Sequence, residues 1–135
     1  MNRFIVIFIS MLISISIQAQ GRKYFCEIKG IEKEFTASLK IVFDFGQDPV
    51  YSIWGDLKSQ QKLVDENGQE IEFNSMVDAA NYMASKGWNF QQAYTSVYSG
   101  KAIQHWIFFK DAKSPEEAVK GIMTKDMYKK KQRVK

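Results

Sequence analysis

Hydrophobic and polar residues alternate most regularly between Phe35 and Phe45. Phe35, Ala37, Leu39, Ile41, Phe43 and Phe45 interleave with Thr36, Ser38, Lys40, Val42 and Asp44. This period of two predicts a strand with the first set buried and the second mostly toward water. The segment from Lys23 to Lys29 reads as its partner strand, and the connection through Gly30 to Lys33 is short enough for a hairpin. Gly46-Gln47-Asp48-Pro49 has loop composition, and Val50 to Trp54 is a short strand candidate. Leu63-Val64 and Ile71 to Phe73 flank Asn67-Gly68, a dipeptide that tolerates positive φ at both centres of a tight turn, so a second hairpin is expected there.

The period then lengthens. Met76, Ala79, Ala80, Met83 and Ala84 recur every three or four residues, which predicts a helix capped by Asn74 or Ser75. Lys86 suits the negative helix end and Gly87 the left-handed stop, leaving Trp88 where its ring could lock the helix onto the sheet. Trp88 to Tyr98 and Ala102 to Lys110 read as strands around Ser99-Gly100-Lys101. Trp88, Phe90, Tyr94 and Tyr98 fall on one face of the first. Trp106-Ile107-Phe108-Phe109 is apolar on both faces of the second, as expected of a central strand covered on each side. Ser114-Pro115-Glu116-Glu117 has the form of a capping box opening a last helix, which should run to Lys125 or beyond with Ala118, Val119 and Ile122 facing inward. The expected fold class is α+β: an antiparallel sheet with one helix inserted before the last hairpin and a C-terminal helix.

The run Asn81-Tyr82-Met83-Ala84-Ser85-Lys86-Gly87-Trp88-Asn89-Phe90, with the later Trp106-Ile107-Phe108-Phe109-Lys110 strand, resembles a group of small bacterial domains of unknown function. Their signature is a helix ending in an LN…GWE(L/F) corner, followed by an aromatic closing strand that ends in lysine. Exported Bacteroidetes versions are similar in a short leader ending Gln-Ala-Gln. The resemblance covers Phe73 to Lys110. Ala80 and Asn89 depart from the leucine and glutamate of that pattern. It implies the helix-to-strand corner and no activity.

Composition changes the picture at both ends. Arg3 precedes an uncharged apolar run from Phe4 to Ile17, then Gln18-Ala19-Gln20, which are the three parts of a secretory signal peptide. The run is short of the roughly twenty residues that span a bilayer. We therefore expect residues 1–20 to be removed after Ala19 or Gln20, with an uncleaved anchor as the alternative. Residues 21–127 are then a single domain and 128–135 a frayed basic tail. Export implies the periplasm or cell envelope, or secretion. Six basic residues and one acid lie from Lys125 onward, so the high pI belongs to the tail. Such a tail would attract an anionic membrane surface weakly, and export makes nucleic acid a poor partner.

Candidate chemistry is sparse. The sequence contains one cysteine and one histidine, which rules out an intramolecular disulfide and a conventional zinc site built from one chain. There is no phosphate loop, nucleophile elbow or Cys-x-x-Cys. Cys26 shares a strand face with Tyr24 and Ile28 and reads as a small buried hydrophobe, and His105 as a partly buried structural histidine. A calcium site through Asp65, Glu66, Asn67 and Glu70 lacks the required spacing. The acid pairs Glu66/Glu70 and Glu116/Glu117 fall where a turn and a helix start already account for them. No catalytic, cofactor-binding or metal-ligating residue is assigned, and no cofactor is expected. The expectation is a non-enzymatic exported module that binds a protein, peptide or envelope component. The alternative is a small thiol-dependent hydrolase using Cys26 and His105.

Overall fold

The computed structural model describes residues 21–32, 39–46 and 62–134. Residues 1–20, the first part of the Phe35–Phe45 alternation and the Val50–Trp54 candidate lie outside them. Four strands form one antiparallel sheet: β1 (Arg22–Glu32), β2 (Leu39–Asp44), β3 (Asn89–Tyr98) and β4 (Lys101–Ala112), in the order β2-β1-β4-β3. Helix α1 (Met76–Ser85) precedes the β3–β4 hairpin, and α2 (Pro115–Ala118) and α3 (Lys125–Arg133) follow it. The protein is thus α+β, with the inserted and C-terminal helices where the sequence periodicity puts them.

One sheet face carries the core. Cys26, Ile28, Ile41, Phe43 and Phe108 cluster with Met76, Ala79 and Met83 of α1, Ala118 of α2, and Leu63, Trp88 and Ile122. Each large side chain removed from water contributes about 1.5–3 kcal/mol. Rings extend the cluster, Phe43 tilted against Phe73 at 5.4 Å and Phe73 edge to face with Tyr82 at 5.5 Å. Ala84, placed on the buried side by periodicity, is exposed; Tyr82 packs on the core instead, because α1 turns its Tyr82 edge toward Phe73.

Both ends of α1 follow from local chemistry. Ser75 Oγ accepts from the Asp78 amide at 3.1 Å. At the other end Gly87 adopts φ +81°, its N–H donates to Ala84 O at 2.9 Å, and that of Trp88 to Met83 O at 3.1 Å. This reciprocal pair is a Schellman stop. Lys110 Nζ satisfies a further carbonyl, Lys86 O, at 2.8 Å. The corner turns Trp88 into the core, where it is 3% exposed and meets Phe45 edge to face at 5.6 Å.

Four further expectations about the fold are corrected. The single long C-terminal helix is two. Ser114 caps α2 as expected, but Glu117 accepts from the Lys113 amide rather than reaching Ser114, and Gly121 breaks the helix at φ +78°. Ala118 and Ile122 still face inward. Thr124 then caps α3 through the Met127 amide at 3.2 Å, so the residues expected to fray are helical to Arg133. Second, the Asn67-Gly68 hairpin shrinks to one bridge, Val64 with Glu70. Only Gly68 is left-handed there, and Asp65 Oδ1 stabilises the turn by accepting from the Asn67 and Gln69 amides at 2.9 Å each. Leu63 O still accepts from the Ile71 amide at 2.9 Å, but Leu63 bridges Thr124 on its other side, since Val64 N and Lys125 N donate to Met123 O and Lys62 O across the two segments. Third, Val42 points away from the core cluster yet is 1% exposed rather than facing water. Fourth, Ile107 and Phe109 of the central strand β4 are only partly buried, because α1 and α2 both place their buried residues on the Phe108 face.

Candidate functional site

Register across the sheet decides which polar groups meet. Residues directly opposite in antiparallel strands share a face. Cys26 pairs with Phe108 and Ile28 with Trp106, on the core side; Glu27 pairs with Ile107 and Asp44, and Lys29 with His105 and Val42, on the far side. Cys26 and His105 therefore lie on opposite faces, and a thiol–imidazole dyad cannot assemble within the chain. Cys26 is 1% exposed. Burial, with the nearby Asp44 and Glu27 charges, pushes its thiol well above the ordinary range, the reverse of what a nucleophilic cysteine needs.

A β-bulge supplies what the sequence reading missed. Asn89 and Phe90 pair with Phe109 and Phe108, but beyond the irregularity Gln92 pairs with Ile107 and Tyr94 with His105. The extra residue reverses the alternation. Phe90 stays on the core side, 5.6 Å from both Trp106 and Phe108, whereas Tyr94, Ser96 and Tyr98 rotate onto the far face. Strict alternation had placed Phe90, Tyr94 and Tyr98 together.

The far face consequently holds a connected polar network. His105 Nδ1 lies 2.7 Å from Glu27 Oε1, and Nε2 lies 2.8 Å from Ser96 Oγ. Tyr94 stacks on the imidazole at 4.4 Å with an interplanar angle of 1° and donates its hydroxyl to Glu27 Oε1 at 3.2 Å. Lys29 Nζ reaches Glu27 Oε2 at 2.8 Å and Asp44 at 3.6 Å. Partial burial works against ionisation of Glu27, but hydrogen bonds from Lys29 and His105, with their charge, outweigh it and hold the carboxyl below its usual range. Lys29 is likewise disfavoured by burial and then raised by its bond to Glu27 and by the Glu27 and Asp44 charges. Burial and the Glu27 charge hold the Tyr94 phenol up.

An ionised carboxylate only accepts, so His105 Nδ1 is the donor facing Glu27, and Nε2 meets the Ser96 hydroxyl on the other side of the ring. The connectivity is that of a serine–histidine–carboxylate relay. Its setting differs from a working nucleophile: Ser96 lies within a strand rather than on a strained turn, and Tyr94 covers one side of the base. Phe25, Tyr94 and Tyr98, each about half exposed, add aromatic surface to the same face, and Lys23 lies over the Phe109 ring at 4.1 Å.

The remaining candidates are absorbed by structure. Glu70 is held low by hydrogen bonds from Lys125, at 2.8 Å, and Lys62, so the Glu66/Glu70 pair is not two free carboxylates. Glu117 caps α2. Among the described residues no group of three or more His, Cys, Asp or Glu could hold a metal ion, and no helix is long and apolar enough to cross a membrane. A cavity of about 620 Å³ opens between the 64–71 turn, α1 and α3, with Tyr82, Lys86, Ile122 and Tyr128 in its wall; the His105 network is not part of it. No family model, curated protein or solved structure matches the chain.

Proposed function

We propose that the protein is an exported, non-enzymatic binding module of the periplasm or cell envelope that takes a protein, peptide or envelope component on the far face of its sheet. The observation that carries this reading is that half-exposed Phe25, Tyr94 and Tyr98 are spread along one sheet face, with the Glu27–Lys29 pair on that same face. Aromatic rings supply contact area at low entropic cost, and a pre-organised ion pair orients polar groups of a ligand. Export is supported by the leader of residues 1–20 and is tested separately, by the N-terminus of the protein recovered from the envelope: Gln20 or Gly21 is expected, and Met1 overturns it.

Binding is tested by placing a photo-crosslinking residue at Phe25 or Tyr98, with Val77 on the exposed side of α1 as control. Discrete adducts in the envelope at the first two positions and not at Val77 are the expected result. Equal adducts at all three, or none, overturn the assignment of the face.

A second reading is favoured by the Ser96–His105–Glu27 relay itself. Ser96 Oγ would attack an acyl carbon and pass its proton to His105 Nε2, which returns it to the departing alkoxide; water then releases the acid by the same route. A fluorophosphonate probe decides the matter. Labelling that disappears in Ser96→Ala supports a hydrolase, and absence of labelling in the folded parent closes that reading.

A further inference from the structure

The sequence of β3, Asn89-Phe-Gln-Gln-Ala-Tyr-Thr-Ser-Val-Tyr98, contains no charged residue and no proline. It is an edge strand bonded on one side to β4, and no described strand pairs with its other side. Nine of its ten residues are exposed, Ser96 alone being intermediate. Natural edges are usually blunted by lysine, proline or shortness, because an unpaired row of N–H and C=O groups templates another strand. The opposite edge follows that rule: β2 has six residues and carries Lys40 and Asp44. The bulge protects only the start of β3, and residues 92–98 run in unbroken register with β4.

We propose that β3 is a self-association edge, and that two copies of this chain join β3 to β3 antiparallel about a two-fold axis. Centred on Thr95, the middle of the regular stretch, the pairs are Thr95 with Thr95, Tyr94 with Ser96, Ala93 with Val97, and Gln92 with Tyr98. Each pair joins residues of the same face, and each is a neutral, β-branched or aromatic combination of the kind that stabilises a ladder. A second copy suits this edge because a symmetric pairing sets every residue against its own sequence, where any charge near the axis would face its like; β3 contains none. The globular part before Lys125 is also close to neutral, with 12 basic and 14 acidic residues once Arg3 is set aside. The half-exposed rings of Tyr94 and Tyr98 and the 73% exposed Val97 become partly covered. An edge of this length buries on the order of 1,000 Å², the low end of specific interfaces, so the dimer is reversible and concentration-dependent. The axis is perpendicular to the sheet, so the eight-stranded product keeps both His105 networks on one face.

Sedimentation velocity of the purified protein from low micromolar to about 200 μM should show monomer converting to dimer. Hydrogen exchange should slow with concentration only in residues 92–98. Thr95→Lys sets two ammonium groups against each other at the axis and should weaken dimerisation by at least about tenfold, with an unchanged circular dichroism spectrum. Should Thr95→Lys misfold, Val97→Lys, at a 73% exposed site, sets a solvated ammonium against Ala93 of the second copy and should weaken the same edge. A monomer throughout the range, a dimer indifferent to the lysine, or protection arising elsewhere overturns the proposal. None of these results bears on ligand capture at Phe25 or Tyr98 by the monomer, so the two readings fail separately.

Discussion

Replacing Glu27 by Gln keeps the shape of the far-face network and removes its only charge that is shared by three partners. In the parent, Glu27 accepts from Lys29, His105 and Tyr94 at 2.8, 2.7 and 3.2 Å. A hydrogen bond to a charged group is worth roughly 1.5–3 kcal/mol, but glutamine retains one carbonyl acceptor and Asp44 still neutralises part of Lys29. The carboxylate side chain is 21% exposed, which screens the charge and lowers the loss further. A net destabilisation of about 2 kcal/mol at pH 7 follows, or a fall in melting temperature of roughly 8 °C for a chain of this size. The pH dependence has a definite sign. The folded-state pKa of Glu27 is depressed, so its stabilising contribution is complete above the unfolded value of about 4.3 and is lost as pH falls through the folded pKa. Urea unfolding of parent and Glu27→Gln at pH 7 and in steps from pH 5 to pH 3 should therefore show two curves that converge on acidification. A gap that stays constant through that range, or a variant as stable as the parent at pH 7, would refute the assignment of Glu27 as the ionised centre of the network.

Three further outcomes test the fold around that site. A β-carbon at Gly30 would lie 2.5 Å from Met76 Sδ, so Gly30→Ala should cost about 1–3 kcal/mol by overpacking; combining it with Met76→Ala should cost less than the sum of the two single changes, and additive losses in denaturant unfolding would show that no contact is shared. Trp88 Nε1 is buried and finds no acceptor among the described residues. Trp88→Phe should therefore lose under about 1.5 kcal/mol whereas Trp88→Ala loses about 3–5, a contrast readable by thermal melts. Cys26, buried and with its thiol pushed up, should resist alkylation in the native protein and react in stoichiometric amount in denaturant; rapid native labelling would contradict its placement.

The local features were legible in the sequence because their causes are local. Ser75 and Gly87 bound α1 through backbone groups three to five residues away, and the alternation in residues 39–45 follows from the strand period alone. Gly121 and Thr124 also carried a readable stop and restart, overlooked because Ala118, Val119 and Ile122 keep helical spacing across the break. The shortened Asn67-Gly68 hairpin was less accessible: Leu63 takes Thr124 as its partner, and no spacing rule links residues sixty positions apart.

The far-face network was decided by tertiary structure. Glu27, Ser96 and His105 carry no flanking signature, and Glu27 reaches His105 across 78 positions of chain only because β1 and β4 are neighbours. Alternation was enough to put Cys26 beside Ile28, but which face received His105 depended on how two distant strands slid into register. Ser96 and Tyr94 depended further on one extra residue after Phe90. A bulge leaves composition and period almost unchanged while turning every later side chain of β3 to the other side of the sheet, so the residues that define the site were visible individually and their meeting was not.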